Sequence, residues 1–238
     1  AATIAELIAI NNATTGTVVL SADTIAAAYN DTAANLINAF TGTTSHTGGF
    51  TVSDTAAVSA SDLNTINTFN ASSTTTVTAA SEITGTPAEI VAAIDAVTHD
   101  ANVTFTIMDL AATIPELIAI NNATSGTVVL SADIIAAAYN DTAANLITAF
   151  TGITSHTGGL TVSDTAAVSA SDLNTINTFK ASGTATVTAT SEITGTAADI
   201  ATVIDAVTHG TDVTLTITGA AATIAELIAI NNATTGTV

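Results

Sequence analysis

A mixed α/β fold, built as a stack of short strand–helix coils, is what this sequence predicts. Three observations predict it. The phrase TIAELIAINNATTGTV at Thr3 returns at Thr113 as TIPELIAINNATSGTV and at Thr223 unchanged, at intervals of 110 residues (113 − 3 and 223 − 113). Inside each interval, a hydroxyl or amide-rich helix start recurs four times. Between those starts lie short β-branched runs. Self-similarity at a fixed period signals a repeat architecture, in which one unit cannot bury its apolar faces alone.

The helices rest on their starts. Leu7, Leu36, Leu63, Ile90 and Leu117 each follow an acid or amide, at steps of 29, 27, 27 and 27 that sum to 110. Leu146, Leu173, Ile200 and Leu227 repeat the series. Thr3 with Glu6, Ser59 with Asp62, Thr86 with Glu89 and Thr113 with Glu116 have the spacing of a capping box. There the hydroxyl accepts from an early backbone N–H, and the acid reaches back to the cap's own N–H. Thr32 with Asn35 is a weaker version. Pro87 falls on the first helical position, where its missing N–H costs nothing. Apolar residues then recur at helical spacing: Leu7 with Ile10, Leu63 with Ile66, Ile90 with Ile94 and Val97.

The strands rest on alternation and composition. VTFTI at 103–107 puts Val103, Phe105 and Ile107 on one face and Thr104 and Thr106 on the other. TVVLSA (17–22), FTVSD (50–54) and TTTVTAA (74–80) are its counterparts, and β-branched content favours strand. NNATTG and TGTTSHTGG read as loops.

Strand, crossover helix and next strand make a βα unit of about 27 residues. Repetition gives a parallel sheet with helices along one side, by right-handed crossovers. Helices need ~10 Å between axes and strands ~4.8 Å, so the stack is expected to curve with its Thr face inside. No Pro- or Ser-rich linker lies near 110 or 220. The expectation is one continuous solenoid: four coils in 1–110, four in 111–220, and the start of a third repeat in 221–238. The two full periods agree at 88 of 110 positions, and 221–238 equals 1–18. The chain reads as a window from a longer array, with no polar capping repeat. The rival fold is an all-β solenoid, with AELIAI segments as extended turns.

Composition narrows function. Lys180 is the one cation among Lys and Arg, against 20 carboxylates, for a net charge of −19. Nucleic-acid binding needs cations to displace counterions from phosphate, so no nucleic-acid partner is expected. The same holds for anionic membranes and phosphorylated ligands. No apolar run approaches the ~18 residues of a membrane span, so no membrane insertion is expected. There is no Cys, hence neither disulfides nor thiol chemistry. No signal peptide is visible, and the first residue is not Met.

Candidate chemistry is thin. Glu6, Asp62, Glu89 and their copies, Glu116 included, read as capping acids rather than catalytic ones. Asp23, Asp31 and Asp54 fall in turns, where Asp bonds its own backbone; calcium at coil edges is their other reading. His46, His99, His156 and His209 lack metal-ligand spacing, and each copy stands too far from its twin to share a metal, so they read as loop residues. No GxSxG is present, and Gly48-Gly49 lacks the Lys of a phosphate loop. Asn12-Ala13-Thr14, Asn70-Ala71-Ser72 and Asn102-Val103-Thr104 match a glycosylation sequon, as chance allows in this composition. No cofactor and no catalytic residue is expected. The outward Thr of successive strands could present a hydroxyl array.

The phrases SDTAAV and NDTAANL, set in Thr/Ala/Val-rich tandem repeats, resemble the large repetitive surface and secreted proteins of aquatic bacteria, cyanobacteria especially. The resemblance runs the whole length of the chain. It implies an extracellular or cell-surface location and a structural or adhesin-type role. The Gly/Asp nonapeptide that binds calcium in many such proteins is absent, although HTGGFTVSD holds two glycines and an Asp. The expected function is therefore a non-enzymatic segment of a filament, stalk or surface layer, associating with itself head to tail or laterally. The alternative is a binding module whose Thr face or loop rim holds a glycan, ice or a partner surface. An enzyme would need a polar cluster private to one copy, and the sequence displays none.

Overall fold

A computed structural model describes residues 1–108, 111–153, 155–187, 190–219 and 221–238. The chain forms two compact units, Ala1–Leu110 with Asn122–Ser131, and Ala111–Asn121 with Ala132–Val238. Both are mixed α/β. Among the described residues there are eleven helices and four sheets, and every strand pairing is parallel. AELIAI at 5–10 and 225–230, and its counterpart PELIAI at 115–120, are helical, which removes the all-β rival.

The first unit starts with helices α1 (Ile4–Asn12) and α2 (Ala22–Ala26), strand β1 (Tyr29–Asp31) and α3 (Ala33–Phe40). Two strand–strand–helix sets follow: β2 (Phe50–Val52), β3 (Ala57–Ser59) and α4 (Ala60–Phe69), then β4 (Thr75–Val77), β5 (Glu82–Gly85) and α5 (Pro87–Ala96). Then come β6 (Val97–His99) and β7 (Thr104–Ile107), and, beyond α6 (Ile114–Ala123), β8 (Val128–Val129). One sheet has the order β1-β2-β4-β6 and the other β3-β5-β7-β8. Helices α1, α3, α4 and α5 pack in a row, each on the next.

The second unit repeats this with most of α6, α7 (Ala132–Ala136), β9 (Tyr139–Asp141), α8 (Ala143–Phe150), β10 (Leu160–Val162), β11 (Val168–Ser169), α9 (Ala170–Thr178), β12 (Ala185–Val187), β13 (Glu192–Gly195), α10 (Ala197–Ala206), β14 (Val207–His209), β15 (Thr214–Ile217) and α11 (Ile224–Ala233). Its sheets are ordered β9-β10-β12-β14 and β11-β13-β15.

The core forms where the periodic residues meet. Leu36, Leu63 and Ile90 are fully buried, as are Leu146, Leu173 and Ile200. Burial of one such side chain contributes roughly 1.5–3 kcal/mol. Strands contribute alternate residues: Phe50 and Val52 face in while Thr51 sits half-buried between them, and Phe105 and Ile107 face in around Thr106. Gly48 lets the loop after α3 press against the preceding turn, because a Cβ there would collide with the Ala27 carbonyl.

Two expectations about the sheet change. The predicted single sheet is two per unit: FTV and TTV lie in one, TFTI in the other. The chain makes an extra corner between paired short strands, and three-residue segments such as Tyr29-Asn30-Asp31 carry no readable alternation. TVVLSA is not a full strand either. In the first copy only Val18 bridges, to Thr43, while its counterpart Val128–Val129 pairs with β7.

Candidate functional site

Three of the acids singled out in the sequence, Glu6, Glu89 and Glu116, bond back at helix starts, whereas at α4 Ser59 Oγ accepts from Asp62 N at 3.4 Å without a closed box. Thr3 Oγ1 accepts from Glu6 N at 3.3 Å, and Glu6 Oε2 accepts from Thr3 N at 2.8 Å. Thr86 and Glu89 do the same at 3.3 and 2.9 Å. Thr113 and Glu116 follow at 3.4 and 2.8 Å. The bonds from Thr3 hold the Glu6 carboxyl below its ordinary range, first through the backbone N–H and then through the hydroxyl. Thr223 acts likewise on Glu226. Thr32 caps α3, but Asn35 does not close a box; its amide donates to Asp31 Oδ1 at 2.8 Å.

Sequence reasoning missed the role of Asp54. Its Oδ2 accepts from Ala33 N at 2.7 Å, across 21 residues, while Asp31 Oδ1 accepts from Thr32 N at 2.8 Å. Two carboxylates thus meet the positive end of α3. Asp164 and Asp141 repeat both bonds at α8, each at 2.7 Å. No local signal marks Asp54, because its partner lies on a different turn of the chain. Asp23 sits in the first turn of α2 rather than in a turn. Among the described residues, no group of three His, Asp or Glu is placed to hold a metal ion.

The histidines divide into two kinds, which corrects the loop reading for one pair. His46 and His156 are fully buried. His46 stacks on Phe50 at 4.5 Å between centroids, with Phe40 at 5.0 Å and Tyr29 at 5.4 Å. Neither ring nitrogen of either residue makes a hydrogen bond. Burial pushes both below the usual histidine range, His156 to about 4, with the Lys180 charge as its second cause. The carbonyls of Ala27, Gly48 and Thr24 oppose the shift at His46 without overcoming it. His99 and His209 are partly exposed and bond locally, Nδ1 lying 3.0 Å from Asp100 O and 2.9 Å from Gly210 O.

This neighbourhood holds the substitutions that alter it between copies. Phe50 becomes Leu160, and Asn70, the backbone bridge partner of His46, becomes Lys180 at His156. Both side-chain polar atoms of Asn70 are buried and unbonded, so its sequon is inaccessible. Lys180 Nζ donates to the Gly158 carbonyl. The sequence contained the exchange but not its proximity to a buried imidazole.

The recurring helix has two apolar faces, and its three occurrences are exposed differently. In α1, which packs on α3, Leu7 is 2% exposed and Ile10 49%. In α6, Leu117 and Ile120 are both buried, at 1% and 0%. In α11, which packs on α10, Ile230 is 0% exposed while Leu227 is 42% and Ile224 78%. Ile224, Leu227, Ile228, Asn231, Asn232 and Val238 line an open depression.

Hydroxyls form in-register columns: Thr51, Thr76 and Thr98 on one sheet, Thr161, Thr186 and Thr208 on its counterpart. On the other sheet of the first unit, Thr84 and Thr106 align, but the Thr106 hydroxyl donates to Glu82. No protein-family model, no curated protein and no solved structure matches the chain. Among the described residues, no helix is long and apolar enough to cross a membrane.

Proposed function

We propose that the chain is a non-enzymatic structural element, a length of extracellular filament, stalk or surface layer, and that its coils continue one another as an α/β solenoid. The observation that carries this is the recurring helix. Its Ile10-type face is covered where a helix precedes it and its Leu7-type face where one follows, so the element is made to be flanked on both sides. Conserved internal contacts support the same reading. Asn64 Nδ2 donates to Glu89 O at 3.0 Å and Asn174 Nδ2 to Asp199 O at 3.2 Å, each tying one helix to the next. Glu6 and Glu116, and Asp54 and Asp164, serve helix starts alike in copies 110 residues apart.

The test is growth. Chains carrying two, three and four 110-residue periods are expected to increase in maximum dimension by equal steps in small-angle scattering. Dimensions that rise as the cube root of mass would overturn the reading. An antibody to the repeat, imaged on intact source cells, tests the location. Adhesin-type binding through the Thr columns remains the second reading, because the hydroxyls are in register. Each column is one hydroxyl wide, and glycan-array binding lost on Thr76→Val would establish it.

A further inference from the structure

We propose that the first unit binds a buried water on the side chains of His46, Asn70 and Thr75, joining the loop before β2 to the segment before β4, and that the second unit fills the corresponding space with the stem of Lys180.

The three side chains come together through the backbone that carries them. His46 and Asn70 form a parallel bridge, in which His46 N donates to Phe69 O at 3.1 Å and Ala71 N to His46 O at 2.8 Å. The His46 ring stacks on Phe50 at 4.5 Å, and Phe50 pairs with Thr75 across β2 and β4. Paired residues on neighbouring strands point to the same side of a sheet, and here both point into the core. His46 and Thr75 are each 0% exposed. His46 Nδ1 and Nε2, Asn70 Nδ2 and Oδ1, and Thr75 Oγ1 are all buried, and none is bonded to another protein group. Buried polar side-chain atoms in folded proteins are nearly always paired, with protein or with ordered water.

The atoms themselves select the guest. Burial keeps the His46 imidazole neutral, so it offers one donor and one acceptor. Asn70 offers both as well, and the Thr75 hydroxyl serves either way. A cation requires acceptors and an anion requires donors, whereas this mixed set matches a molecule that gives and takes hydrogen bonds. Three side chains also match the roughly three hydrogen bonds of a typical buried water.

The second unit changes this place in a concerted way. Asn70 becomes Lys180, Thr75 becomes Ala185 and Phe50 becomes Leu160. The two smaller side chains, both fully buried, make room for the longer one. Lys180 Nζ donates to the Gly158 carbonyl. Of the three side chains that would hold the water, only His156 remains, short of what a buried water takes.

The experiment uses the 238-residue chain. Deuteron relaxation dispersion of the solvent counts long-lived internal water. Phe50→Leu, Asn70→Lys and Thr75→Ala together give the first unit the residues that the second already accommodates. That variant is expected to keep its circular dichroism and to lose about one water per chain. The reverse set, Leu160→Phe, Lys180→Asn and Ala185→Thr, is expected to gain about one. Water is also expected to show an Overhauser contact with the His46 ring protons. A parent chain without that contact overturns the proposal with no substitution needed. Equal dispersion in the parent and the first variant also overturns it. So does dispersion that falls when ammonium chloride replaces sodium chloride, since a cation would then occupy these atoms.

Discussion

Thr86 illustrates what one hydroxyl contributes. It satisfies the Glu89 N–H and is itself held by the Glu89 carboxylate. Thr86→Ala leaves that donor to solvent and is expected to cost about 1 kcal/mol in denaturant melts. An unchanged midpoint would mean that the cap does not matter to the folded state. His156 is the pH-sensitive residue. Unfolded, it takes its proton near 6.5; folded, burial and Lys180 push it down to about 4. The unfolded chain thus binds more protons in between, so stability falls as pH drops through that window. From about pH 7.5 to 5.5, above the carboxylate range, the loss is expected to be about 0.7 kcal/mol, after discounting roughly half for relaxation around the charged ring. His46, shifted the same way, adds to it. His156→Leu is expected to flatten the urea-midpoint profile, and a profile unchanged from the parent would refute the assignment.

At the scale of the element, α3 and α8 show helices started from two places in the chain. The local hydroxyl is visible in sequence; the Asp54 carboxylate arrives from beyond β2. Asp54→Ala is expected to cost about 1–2 kcal/mol, because it orphans the Ala33 N–H and removes a charge from the helix's positive end. Hydrogen exchange at Ala33 should accelerate more than at the end of α3, and uniform acceleration would point instead to global loosening. The strands show the opposite balance. Thr104–Ile107 was legible from its alternation, whereas Glu82–Gly85 and Val97–His99 were not, because strands of three or four residues next to a helix display no period.

For the molecule as a whole, circular dichroism is expected to show helix and strand together. Broad hydrolase and transferase screens are expected to be blank, and a turnover abolished by one substitution would end the structural reading. Charge of one sign also strains the folded state through self-repulsion. Melting temperature is therefore expected to rise with salt until screening is complete, and a flat response would mean that the 20 carboxylates are already well separated.

By itself the sequence determined the α/β class, the place of the four helices per period that carry Leu7, Leu36, Leu63 and Ile90, and the local hydroxyls that cap them. These depend on contacts within one turn, at spacings of three and four residues. It also contained the strand alternation at Val103, Phe105 and Ile107, all buried in the structure. The short helices α2 and α7 were not legible, because five residues next to a β-branched run display no helical period. Only the tertiary structure decided that each unit has two sheets, that Asp54 serves a distant helix, and that His46 and His156 lie in the core. Those outcomes depend on which segments come to lie side by side. Polar residues such as His46 and Asp54 look like loop residues along the chain, and packing alone determines whether they face water, a helix end or an aromatic wall.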